Sequence, residues 1–418
     1  MGQNRRNFLQ QATLVATAAF LPATAGAGDL KDADAWKKGR AIPRPCKPVK
    51  WRKKGVVLRP EEVIKGKFIQ NFNSPAVPLG NGKWRIWFSA IPEKPQTFNI
   101  GYAEGVPGQQ MDVQLAQLSE GTPGPGGLSI GNLPAGWNPV QPVYIQLKNG
   151  RHRLYFWAHG KGVVRFLAAE SENGQHYTVL TPHEPCLYHP NDRAVTFTGV
   201  TASGQKVTAK SDTFKRNNPK PAHEKDAPEH LICNDATTVY QLADGTFELY
   251  TVTLMGLEPG DPRWARNDNL AGFIRVIDRM VSKDGIHFTG RSRVLAPDGN
   301  DPEDLQFYNL NVTYTDKGRV GMLGHFRCKD QTMDIEWCYS RDGIHWERPC
   351  RNLPWIARGW PGADQDSLCL YPATGLVPFE GRWYLFYTGC NYTHNHKVTD
   401  GDATSMIHLA ETASIWDV

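Results

Sequence analysis

The runs Ser171-Glu172-Asn173-Gly174-Gln175-His176-Tyr177, Ser282-Lys283-Asp284-Gly285-Ile286-His287-Phe288 and Ser340-Arg341-Asp342-Gly343-Ile344-His345-Trp346 share the form Ser-x-Asx-Gly-x-His-aromatic. Asx-Gly tolerates positive φ and marks a tight hairpin. Strand-like runs precede each copy, over 163–169, 273–280 and 334–339. Weaker versions, Ile100-Gly101-Tyr102-Ala103 and Ile407-His408-Leu409-Ala410, fill the same slot in a first and a last unit. The same turn occurs three times and an active site once, so these His residues are turn and packing residues of an outer hairpin.

A second segment precedes the first within each unit. It reads Asn81-Gly82 to Phe88, Asn149-Gly150 to Trp157, Asp244-Gly245 to Tyr250, Lys317-Gly318 to Leu323 and Glu380-Gly381 to Tyr387. Each is a turn followed by an alternating aromatic or apolar strand, and an apolar strand also precedes the turn. Five units of about 65–90 residues with four strands each predict an all-β, five-bladed β-propeller. It is expected as one domain over residues 28–418, after a leader over 1–27. The longest insertions, 105–137 and 200–230, are expected as irregular surface segments, the second as a long loop or lid.

In such a ring the innermost strands start around one funnel, so residues distant in sequence converge. The expected starts are Gln70 to Pro75, Trp137 to Val140, Cys233 to Thr238, Glu303 to Asn309 and Asp364 to Pro372. Asp235, Asp304 and Asp366 occupy equivalent places on three adjacent blades. One carboxyl to protonate a leaving oxygen, a second to attack or to activate water, and a third to tune a pKa by repulsion are what glycosidic cleavage requires. These three are the candidate catalytic residues, with one pKa expected to be raised. Asn73, Glu303, Asn309 and His325 are candidate hydrogen-bonding partners for a substrate, and Trp137, Tyr308 and Tyr371 candidate stacking surfaces. His394-Asn395-His396 with His325 could alternatively ligate a metal, but loop histidines are more often solvated or capping, and no metal or cofactor is expected. No phosphate loop, zinc-protease helix or Ser-His-Asp order is present.

Asn234-Asp235-Ala236-Thr237-Thr238-Val239-Tyr240, Asp304-Leu305-Gln306-Phe307-Tyr308-Asn309, and 340–346 with 366–375 and Tyr387-Thr388-Gly389 resemble bacterial relatives of the five-bladed glycoside hydrolases, the set including families 32, 43, 68 and 117. The resemblance covers most of the chain beyond the leader and implies a glycoside hydrolase acting on a plant or algal glycan. It also allows a Ca²⁺ at the propeller axis. In the well-studied families an Asp opens blade one and a later Glu is the acid. Here blade one presents Asn71 and Asn73, and the other acids, Glu303 apart, are Asp. A carbohydrate-binding propeller without catalysis is therefore an alternative. A polysaccharide lyase is another, with Tyr308 or His325 as base and Arg327 as neutraliser.

The composition agrees with short strands and many turns: 13 Trp, 14 Tyr and 17 Phe accompany 40 Gly and 30 Pro. A formal net charge of +5, with no long basic run, gives no support to nucleic-acid or anionic-membrane binding. None of the 8 Cys forms a Cys-x-x-Cys pair, and Cys328 and Cys338 are expected to face each other across a hairpin. Arg5-Arg6-Asn7-Phe8-Leu9, an uncharged stretch from Ala12, and small residues ending at Ala27 form a twin-arginine leader in the expected order. The leader places the protein in the periplasm or outside the cell. Replacing Arg5 and Arg6 with Lys should trap uncleaved precursor in the cytoplasm, read by fractionation and the mass of the N-terminus. Unchanged export would assign another route.

Overall fold

The computed structural model describes residues 49–64, 66, 68–91, 98–189, 192, 196–200, 206–210, 236–256, 263, 273–394 and 403–416. Both the leader and Asp235 lie outside these residues. Among them the helical content is one short turn, Pro60–Glu62, and no helix is long and apolar enough to cross a membrane. The rest is strand and turn: the protein is all-β.

Strand pairing resolves five antiparallel meanders. Blade one has an inner strand interrupted between Phe68–Gln70 and Ala76–Gly80, then Lys83–Ile91, Asn99–Gly105 and Asp112–Leu115. Blade two runs Asn138–Gln146, His152–Gly160, Val163–Ser171 and His176–Val179. Blade three runs Thr237–Gln241, Phe247–Gly256, Phe273–Ser282 and Thr289–Leu295. Blade four runs Leu305–Thr315, Gly318–Arg327, Thr332–Ser340 and Trp346–Glu347. Blade five has Cys369–Pro372 and Val377–Phe379 inside, then Arg382–Cys390 and Ser405–Thr412. Its outermost strand is Arg52–Leu58, from the other end of the described chain. The N-terminal strand thus closes the ring, a pairing that local sequence periodicity does not contain.

The repeated turn explains how blades hold each other. In blade four, the Ser340 hydroxyl accepts the Gly343 amide at 2.8 Å, and Asp342 accepts the Ile344 and His345 amides at 2.8 Å. Blades two and three repeat this on Ser171 with Asn173 and on Ser282 with Asp284. The turn then docks on the preceding blade. Tyr250 of blade three donates to the Gly343 carbonyl, and Tyr155 of blade two donates to that of Gly285. Gly343 has φ +80°, and a Cβ there would meet the Tyr250 hydroxyl at 2.5 Å, so the position is closed to other residues. The closing aromatic follows into the gap: Trp346 packs edge-on to Tyr250 at 5.8 Å, and Tyr177 edge-on to Trp87 of blade one at 6.3 Å. His287 and His345 stay exposed and bond their own Asp284 and Asp342, as turn residues.

Two expectations are corrected. Residues 105–137 are not irregular: Asp112–Leu115 completes blade one, and Ser129–Gly131 and Gln117–Leu118 extend blade two by parallel pairing beyond His176–Val179. Buried Ala116, Leu128, Ile130 and Leu133 pack with Trp87 and Tyr177, but the apolar runs are short and broken by Gly and Pro, so no alternation announced them. Cys328 and Cys338 are buried and are not bonded to each other. Antiparallel register sets Cys338 opposite Gly321, while the strand ends at Arg327 opposite Thr332, so the two sulfurs sit at different heights of the hairpin. Cys350 is disulfide-bonded.

Charges are buried between blades as well. Glu248 of blade three, fully buried, accepts from Arg279 at 2.6 Å and from Arg319 of blade four at 3.0 Å. Removing one member of such a network strands the others. Glu248→Ala should lower stability by about 3–5 kcal/mol in denaturant unfolding. A change below about 0.5 kcal/mol would mean the network adds nothing.

Candidate functional site

The inner strands are joined to each other by side chains. Thr238 of blade three donates to the Leu310 carbonyl of blade four at 3.1 Å. Tyr240 donates to the Thr374 carbonyl of blade five at 2.6 Å and accepts the Val312 amide at 2.7 Å. Asn309 Nδ2 donates to Asn311 Oδ1 at 2.6 Å, and Asn311 Nδ2 donates to Asn73 Oδ1 at 3.0 Å. Asn73 has φ +59°, which Asn tolerates better than most residues, and its carbonyl accepts the Thr374 hydroxyl. Asn73 and Asn309, both expected at the site, are therefore brought together, and Asn311 is the link that sequence reading missed. Its signal was present: two residues beyond Asn309 on one strand puts it on the same face. The chain of amides ends in an unpaired Asn73 Nδ2 and an unpaired Asn309 Oδ1, both buried.

Beside this network lies a buried aromatic cluster. Tyr308 and Tyr371, from the inner strands of blades four and five, have ring centroids 6.2 Å apart. Phe72 of blade one lies 5.2 Å from Tyr371, and His394 lies 4.7 Å from Tyr308. Tyr371 and His394 share a hydrogen bond of 2.7 Å between hydroxyl and Nδ1. Burial pushes the Tyr371 hydroxyl well above its ordinary range, so it stays protonated. Arg275 of blade three, fully buried, sets its guanidinium over Tyr308 at 5.4 Å and Phe326 at 5.3 Å, and donates to Gln306 at 2.6 Å. Arg275 was not foreseen, because an Arg in the middle of a third strand looks like a surface residue.

The acids are arranged differently. Asp304 accepts from Arg327 at 2.6 and 2.9 Å and from the Lys329 amide at 3.1 Å. Burial opposes its charge, but these bonds prevail and hold the carboxyl below the usual range. Asp366 accepts from Lys53 at 2.6 Å and Tyr387 at 2.8 Å; burial again opposes the charge, and Lys53 with Tyr387 outweighs it. The raised pKa expected from mutual repulsion is thus not found at Asp304 or Asp366. The reason is that each carboxylate has its own cation within its own blade, Arg327 for Asp304 and Lys53 for Asp366. Glu303 is exposed. Asp235 immediately precedes Ala236 and the inner strand of blade three, outside the described residues, as do Asn395 and His396.

The remaining candidates sit elsewhere. Trp137 packs against Arg165 at 5.2 Å and His183 at 6.1 Å on blade two. His325 bonds Asn352 at 3.0 Å and lies 3.6 Å from Glu336, whose other partner is Arg348 at 2.5 Å. His325, Asn352 and Glu336 line a crevice of about 70 Å³ with Arg327, Asp334 and Leu353. Among the described residues no group of three or more His, Cys, Asp or Glu is placed to hold a metal. The inner-strand network offers carboxamide and carbonyl oxygens without a carboxylate, a poor fit to Ca²⁺.

No family model matches the chain, and no curated protein matches it. Solved structures do. An N-acetylgalactosamine deacetylase from F. plautii is 15% identical, with 89% of this chain and 94% of that one covered and a TM-score of 0.47. A thermostable family-43 glycoside hydrolase is 12% identical, covering 88% and 92%, with a TM-score of 0.46. A glycosyl hydrolase from Bacteroides ovatus is 14% identical, covering 89% and 93%, with a TM-score of 0.46.

Lys53 lies on the closing strand and Asp366 before the inner strand of blade five, so their ion pair also fastens the ring. The folded pKa of Asp366 lies below its unfolded value of about 3.9. Its contribution is complete above that value and is lost as pH falls through the folded pKa. Lys53→Met should cost about 1–3 kcal/mol at neutral pH and move acid unfolding to higher pH. A variant with the parent's acid midpoint would show that the pair does not fasten the ring.

Proposed function

We propose that the protein is an exported glycoside hydrolase that acts on a plant or algal glycan where its inner strands converge. The observation that carries this reading is the convergence of inner strands from three blades, where Asn73, Asn309 and Asn311 form a carboxamide network with two unsatisfied polar atoms beside the cluster of Tyr308, Tyr371, Phe72 and His394. Sugars present C–H faces that pack on aromatic rings and hydroxyls that pair with amides and imidazoles.

The chemistry would divide between the inner-strand acids. Asp304, ionised through Arg327, suits the base or nucleophile role, and Asp366, ionised through Lys53, adds negative potential and braces blade five. Neither supplies a proton at neutral pH. That role falls to Asp235, which opens the inner strand of the neighbouring blade three. An oxocarbenium-like transition state would then form beside the fixed carboxylate of Asp304, which favours it electrostatically.

A second reading, a binding propeller without catalysis, is favoured by Asn71 and Asn73 at the opening of blade one, where a carboxylate would otherwise stand. A glycan panel assayed for reducing ends separates the two. The hydrolase reading expects release from at least one glycan, and Asp235→Asn should reduce the rate by about 10²–10⁴ with an unchanged melting temperature. Binding without release supports the second reading. An unsaturated, ultraviolet-absorbing product would instead assign a lyase, and full activity of Asp235→Asn would remove Asp235 from the mechanism.

A further inference from the structure

Trp360 is 80% exposed, the most exposed of the large apolar side chains among the described residues. It stands on the segment between blades four and five, which is closely pinned. The Trp360 amide donates to Asp364 at 2.7 Å, and its carbonyl accepts the Asp364 amide at 2.9 Å and the Ala363 amide at 3.1 Å. The Gly359 amide donates to the Asp366 carbonyl at 3.2 Å. Two residues before Trp360, Arg358 bonds Asp334 of blade four at 2.8 Å. An indole held in water on a fixed turn contributes nothing to the core, and ordering it on a ligand costs little.

The same segment lines the crevice described above: Leu353, 52% exposed, forms its rim with Pro354, and Asp334, the partner of Arg358, lies in its wall. Trp360 follows Arg358 by two residues, so their Cα atoms are at most about 7 Å apart. The crevice, at about 70 Å³, is too small for a ring and large enough for a hydroxymethyl group and its water. Its polar groups, His325, Arg327, Asp334 and Asn352, offer donors and acceptors side by side.

We propose that Trp360 is a stacking platform for one sugar unit of a bound glycan, with the adjoining crevice taking a polar substituent of the same stretch of chain. The proposal rests on the carbohydrate reading above and adds a subsite on the segment between blades four and five. A second copy of the protein is the less suitable occupant. Leu353 and Trp360 are two side chains, far short of the roughly 800 Å² per partner of a stable interface.

The test is affinity electrophoresis of the full protein, Trp360→Ala and Trp360→Phe through gels containing xylan, arabinan, laminarin or pectin, with sedimentation of each protein alone. Retardation of the parent by at least one polysaccharide is expected, about tenfold weaker apparent affinity for Trp360→Ala, and substantial recovery in Trp360→Phe. Equal retardation of the parent and Trp360→Ala overturns the platform and leaves the carbohydrate reading standing. No retardation of the parent by any of the four, with no reducing ends released, overturns both. Self-association of the parent that Trp360→Ala abolishes overturns the proposal in favour of a contact between copies.

Discussion

Blades three and four each lean on their predecessor through one peg, the Gly carbonyl of the outer turn accepting from a Tyr of the neighbour's second strand. In blade four Gly343 and Trp346 both meet Tyr250. The contact combines a directional hydrogen bond with an edge-to-face ring pair, so it sets the angle between blades as well as their distance. A propeller has no single central core; its apolar surface is buried in layers between blades, here clusters such as Val239, Leu249 and Phe288 with Tyr155 and Phe166. If the angle between blades drifted, each layer would lose contacts at once, because interiors are packed without slack.

The ring must also close, and it does so with a strand contributed from the far end of the chain. Arg52–Leu58 pairs with Ser405–Thr412, and Lys53 reaches Asp366. The convergence of the inner strands depends on that closure. Asn73 in blade one and Asn311 in blade four are 238 residues apart, yet they bond because blade five, between them, is clamped from both chain ends.

The local environment divides chemical roles that the residue types leave equal. Asp304 and Asp366 look alike in sequence, and both turn out to be tied to cations, which suits them to stay charged. Histidines separate in the same way. His345 caps a turn in solvent, whereas His394 is buried against two tyrosines and a phenylalanine. Buried polar residues of this kind carry a desolvation cost and persist where each is hydrogen-bonded or placed for a ligand.

Much of the architecture was legible because it rests on local rules. Asx-Gly turns, two-residue alternation and a repeated Ser-x-Asx-Gly-x-His-aromatic run report on hydrogen bonds within a few residues, so five blades and the starts of their inner strands could be read off the chain. The same logic identified Asn73, Asn309, Tyr308 and Tyr371 as residues on converging strand starts. What tertiary structure alone decided is everything that depends on a partner distant in sequence. The closing strand, the Asn311 link, Arg275 beneath the tyrosines, the cations that hold Asp304 and Asp366 charged, and the height difference between Cys328 and Cys338 all arise from register and closure. Turn chemistry is encoded in neighbouring residues, whereas the field around a carboxylate is set by whichever side chains the closed ring brings against it.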